Sequence, residues 1–82
     1  MYSKNIIGLG GVRKIRSIKI GDLFKDIGYS KATGVPFVFK IVRKYDKDEW
    51  IADRYIDGIY EGETYLHKVV IQRNMRRVYK IK

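Results

Sequence analysis

The 82-residue chain has no cysteine, one proline and one histidine, and carries no Asp or Glu before Asp22 or after Glu63. Without cysteine there is no disulfide framework, no thiolate zinc site and no thiol nucleophile, and thiols give no clue to compartment. Long hydrophobic runs are also missing. The longest near the start, residues 6–12, is seven residues with three glycines, whereas a bilayer-crossing helix needs about 20 apolar residues. That stretch runs straight into Arg13, Lys14 and Arg16 instead of a small-residue cleavage site, which excludes a secretory signal. The expected location is therefore the cytoplasm, or the nucleoid if the partner is DNA, with no membrane association. A chain of this length buries only about 60–65% of its unfolded surface, enough for one small domain.

What the chain does have is positive charge and aromatic side chains. Eighteen Lys and Arg face nine Asp and Glu, a net charge of +9, while 45% of residues are apolar and eleven are aromatic. That composition describes a folded basic domain rather than a disordered tail. The charge is unevenly placed: residues 1–20 carry +5, 21–45 carry +3, 46–64 carry −5 and 65–82 carry +6. Two basic ends around an acidic middle make an electrically polar object, one side of which attracts a polyanion.

The hydrophobic pattern is mainly that of strands. Val35, Phe37, Phe39, Ile41 and Tyr45 alternate with Lys40, Val42 and Lys44, a period of two. Asp46, Lys47, Asp48 and Glu49 break the run as a hairpin turn, and residues 50–56 resume it. Residues 57–63, with Gly58 and Gly62, read as a turn. Residues 64–71 read as a strand with Tyr65, His67, Val69 and Ile71 in phase, residues 72–74 as a turn, and residues 75–81 as a last strand with Met75, Tyr79 and Ile81 facing inward. An earlier strand is expected over residues 15–20. Residues 22–28 read as a loop with one helical turn capped by Asp22, or alternatively as a strand continuing through a bulge at Gly21. Residues 28–36 read as the longest loop.

Five short strands and no long amphipathic helix favour an all-β fold, a small five-stranded SH3-like, half-open barrel over residues 15–82. Residues 1–14 are expected to form a flexible, glycine-rich basic arm. In strand count and charge the chain resembles the small SH3-like barrels that bind DNA, a fold-level likeness that leaves function open.

Chemical motifs are few. Gly8, Leu9, Gly10 and Gly11 do not complete a dinucleotide fingerprint, because Arg13 stands where glycine is needed, and the phosphate-loop ending Gly-Lys-Ser/Thr is absent. Asp46, Asp48, Glu49, Asp53, Asp57, Glu61 and Glu63 lack calcium-loop spacing. His67 has no partner for acid–base work. No catalytic residue, metal site or cofactor is expected, and the chain reads as a non-enzyme.

The remaining signal is cationic and aromatic. Arg13, Lys14 and Arg16 in the arm, Lys40, Arg43 and Lys44 in the first long strand, and Arg73, Arg76, Arg77 and Lys80 near the end form the candidate nucleic-acid-binding set. Arginine suits it because its planar fork meets phosphate oxygens two at a time. Trp50 and Tyr45 are candidate stacking residues, with core packing the plainer role for Trp50. The reading is a nucleic-acid-binding domain for which duplex DNA is favoured over RNA. The alternative is an interaction or inhibitor module, encoded by a phage or mobile element, that binds an acidic protein surface. Open barrel edges offer a third role, pairing into a homo-oligomer.

Overall fold

The structure, a computed structural model, describes residues 15 and 17–81. Five strands and two short helices follow one another: β1 (Leu23–Asp26), α1 (Ile27–Thr33), β2 (Phe37–Asp46), β3 (Glu49–Ile56), β4 (Ile59–His67), α2 (Lys68–Asn74) and β5 (Met75–Val78). The strands form one antiparallel sheet in the order β4-β3-β2-β1-β5, so β2 to β4 meander and β5 returns to pair with β1. The five-stranded all-β expectation holds. No ladder joins β4 to β5 among the described residues, so the sheet is open and not a closed barrel. No helix among them is long and apolar enough to cross a membrane. The expected arm, residues 1–14, lies outside the described residues.

The main core cluster gathers on one face of the sheet, and Val38 and Ile51 are buried on the other. Phe24, Ile41, Ala52 and Ile71 are fully buried and pack with Phe39, Trp50, Leu66 and Met75, while Ile15, Ile18 and Phe37 cover the margin. Each large side chain contributes about 1.5–3 kcal/mol by leaving water. Both hairpins form where punctuation residues occur. Lys47 and Asp48 turn between the paired residues Asp46 and Glu49. Asp57 and Gly58 turn between Ile56 and Ile59 with φ of 53° and 83°. Two successive positive φ values mark the turn type whose twist matches the flanking strands, and glycine supplies the second without strain. The expected seven-residue turn thus shrinks to two, and β4 begins at Ile59.

Four other expectations are corrected. Residues 15 and 17–20, the described part of the expected first strand, form no strand, although Gly21 N–H donates to the Ile41 carbonyl at 2.7 Å as the chain enters the sheet. The first strand is Leu23–Asp26, the alternative reading of that region, because pairing on both sides with β2 and β5 satisfies its backbone and buries Phe24. Helix α1 replaces the expected loop. Asp26, not Asp22, caps it by accepting the Tyr29 N–H at 2.9 Å, and Gly34 ends it in the left-handed conformation at φ 79°. Finally, the strand expected over residues 64–71 stops at His67, whose Nδ1 accepts the Val69 N–H at 3.1 Å and caps α2. The helical path sets Ile71 and Met75 four residues apart, and both reach the core.

Candidate functional site

The strand order converts the segmental charge pattern into a spatial one. On the β4 side lie Glu61 and Glu63 of β4, Glu49 and Asp53 of β3, Asp46 at the end of β2, and Asp48 and Asp57 of the connecting turns, with Lys47 and Arg54 as cations. On the other side lie Arg76 and Arg77 of β5, Lys25 of β1, Lys31 of α1 and Arg73 of α2, with Asp22 and Asp26 as the acids, whereas Lys68 at the start of α2 donates its N–H to the Asp48 carbonyl at 2.8 Å beside the acidic hairpin. Registered rows show the gradient on the face opposite the core, since directly opposed residues share a face. One row reads Arg76, Lys25, Val38, Tyr55, Tyr60, and the next Val78, Leu23, Lys40, Asp53, Glu63. The titrations follow the same field. Desolvation, then the carboxylates of Asp53 and Glu63, raise the Tyr60 phenol above its ordinary value. At Asp22 burial pushes the carboxyl up, but the Arg77 hydrogen bond, the Lys19 N–H and both positive charges outweigh it and hold the group low.

The sequence-derived cations separate into distinct environments. Arg77 is held internally: it bonds Asp22 at 2.7 Å, donates to the Ser17 carbonyl at 2.8 Å and lies over the Phe24 ring. Arg43 is paired to both oxygens of Glu63 at 3.2 and 3.3 Å. Lys40 is opposed in register by Asp53, and Lys44 sits 4.3 Å from the centroid of the Trp50 ring. Arg73 is exposed at the end of α2, and Lys80 is exposed beyond the last strand. Arg13, Lys14 and Arg16 lie outside the described residues.

One orientation expectation holds and one fails. Trp50 is only 6% exposed and belongs to the core, the plainer of its two expected roles, so its ring is not available for stacking on bases. Tyr79 was expected to face inward but is 87% exposed, because β5 ends at Val78 and the pleat no longer directs it. Tyr45 is exposed, but it packs edge-to-face against Tyr65 at 4.8 Å on the acidic side. The set is therefore not one surface. Arg43 and Lys44 lie roughly 23–26 Å along the chain from Pro36, at roughly 3.3 Å per residue.

Arg76 is different, because it stands in a concavity with two cations that sequence reasoning passed over. Lys25, Lys31 and Arg76 line an open cavity of about 370 Å³ together with Ile27, Ser30, Gly34, Val35 and Pro36, and no carboxylate is part of its wall. Lys25 and Arg76 are registered partners across the β1–β5 ladder. None of the three makes an ion pair with a described residue, unlike Arg43 and Arg77. Ser30 accepts the Phe37 N–H through Oγ at 2.9 Å, which leaves its own proton to donate. Lys25 and Lys31 carried no sequence signal, because one was read in a loop or helical turn and the other in a loop, and only the fold brings them to Arg76. Among the described residues no three of His, Cys, Asp and Glu come together as metal ligands. No family model, curated protein or solved structure matches the chain.

Proposed function

We propose that this chain is a non-enzymatic nucleic-acid-binding domain whose favoured partner is duplex DNA, held through phosphate contacts on the side carrying Lys25, Lys31, Arg73 and Arg76. Arg13, Lys14 and Arg16 add to that contact from the segment before the described residues. The observation that carries the reading is the uneven charge across the sheet: cations without an ion pair among the described residues on the β5, β1 and α1 side, and most carboxylates of residues 46–64 on β3, β4 and the β2–β3 hairpin, with Asp57 lying beside Pro36. An isotropic basic protein gains nothing from that arrangement, whereas a polyanion ligand is attracted to one side and kept off the other.

Duplex is favoured over single strands because of where the rings lie. Single-strand binders align stacking rings with their cations. Here Tyr45, Tyr60 and Tyr65 lie among carboxylates, Trp50 is buried and Tyr29 is stacked on Phe37, which leaves Tyr79, exposed beyond β5, as one ring beside the cations instead of a row of them. Contacts to phosphate then dominate, giving affinity with little dependence on sequence. The test is a binding titration of Arg73→Gln with Arg76→Gln against several unrelated duplexes, beside Asp46→Asn with Asp48→Asn and Glu49→Gln as control. The cation variant should lose affinity for every duplex by a similar factor, and the control should bind as well as or slightly more tightly than the wild type. Normal duplex binding by the cation variant, or capture of an acidic protein by a wild type that ignores DNA, passes the lead to the interaction-module reading.

A further inference from the structure

The cavity between β1, β5 and the end of α1 has a specific composition that general basicity does not explain. Lys25 and Arg76 face each other directly across the ladder. Like charges at directly opposed positions oppose strand pairing. Lys31, in the last turn of α1, adds a third positive charge to the same wall, which no carboxylate lines. Two carboxylate rungs also oppose like charges: Asp53 and Glu63 have Lys40 opposite the first and Arg43 bound to the second, and Asp46 and Glu49 flank the turn that holds Lys47. A local rule broken without internal compensation marks a place where the missing charge comes from outside.

The rest of the lining defines what that ligand is. The Ser30 hydroxyl can donate beside the three cations, while Ile27, Val35 and Pro36 supply an apolar wall. At about 370 Å³ the cavity exceeds the space of a bare ion and falls within the roughly 300–1,000 Å³ of small-ligand sites. From this geometry we infer that the cavity is a phosphate seat: Arg76 engages two oxygens of one phosphate group, Lys25 and Lys31 neutralise it, and the attached sugar rests against Ile27, Val35 and Pro36. Arginine fits the two-oxygen role, and lysine acts as a point charge. This deepens the nucleic-acid reading, on which the choice of a nucleic-acid phosphate rests; the seat itself follows from the cavity, and free phosphate shares its chemistry.

The experiment is an amide-resonance titration of the whole chain with sodium phosphate at constant ionic strength, repeated with a short duplex. Phosphate should shift the resonances of residues 25–35 and 76 with saturation. Arg76→Gln and Lys31→Gln should each weaken it about tenfold, the equivalent of one charge-assisted contact. Arg43→Gln, already paired to Glu63, should leave it unchanged. Melting curves of each variant establish that it is folded. Non-saturating shifts spread over all cations, or unchanged phosphate affinity in both pocket variants, overturn the seat. The duplex arm separates the two claims. Phosphate that saturates the cavity in a chain that ignores duplex supports the seat and removes the nucleic-acid reading. Duplex binding unaffected by both pocket variants removes the seat and leaves that reading.

Discussion

Arg77 and Asp22 are joined at 2.7 Å, and the same guanidinium covers the Phe24 ring at 5.0 Å from its centroid. The neighbouring Arg76 points to the other face, opposite Lys25 and without an acid. Two adjacent arginines thus differ: one ties the entry of the chain to the last strand, and the other makes no ion pair with a described residue.

Breaking the first pair should cost stability and leave the phosphate contacts in place. Asp22→Asn is expected to lose about 1–2 kcal/mol, because it removes a charged hydrogen-bond acceptor from a partly buried pair. The folded carboxyl is held below its unfolded value of about 3.9. Its contribution is therefore complete above that pH and is lost as pH falls through the folded pKa. Denaturant midpoints at pH 7 and pH 3 should show a large gap between wild type and Asp22→Asn at the first and a small one at the second.

Relief of the opposed cations should act in the reverse sense. Lys25→Gln is expected to leave stability unchanged or raise it by a few tenths of a kcal/mol, since it removes a like-charge cross-strand pair of about 0.2–1 kcal/mol. The same change should weaken duplex binding. Thermal melting and anisotropy on one preparation check both; a destabilised protein with normal binding would contradict the assignment of Lys25.

Gly34 closes α1 at φ 79°, and a Cβ there would meet nothing within 4 Å. Gly34→Ala should therefore cost about 1 kcal/mol from backbone strain alone, without a clash. Gly34→Asn should recover part of it, because asparagine tolerates the left-handed region. Melting temperatures of the two variants check the order.

Trp50 gives an optical control. Buried with Leu66 and Ala52 in the core, it should be poorly quenched by acrylamide, and its emission should change little when duplex is added. Strong quenching by DNA would mean that the ring reaches the bases after all.

The long strands were legible because β2 and β3 each supply several alternating side chains, and their hairpin carries turn residues at Asp46–Glu49. The short elements were not. Helices α1 and α2 have seven residues each, two turns, too few for a 3.6-residue period to separate from alternation. Val69 and Ile71 fit alternation, but on the helix residues two apart lie on nearly opposite sides, so Val69 is exposed while Ile71 is buried. The site was half legible for a related reason. Arg76 lies in a basic run that charge counting finds. Lys25 and Lys31 are isolated in sequence, so nothing local connects them to residue 76 until β5 returns to pair with β1. The inward placing of Tyr79 failed because alternation was extended past Val78, where the ladder ends.

The central claim is that the unpaired cations hold phosphates, and the salt dependence of duplex affinity tests it most directly. If about five phosphates are engaged, log affinity against log salt should fall with a slope near −4.5. Lys25→Gln, Lys31→Gln and Arg76→Gln combined should make that slope shallower by about 1 or more, because at least one phosphate contact is lost. An affinity that is flat between low and physiological salt, or a slope unchanged in the combined variant, would contradict the account.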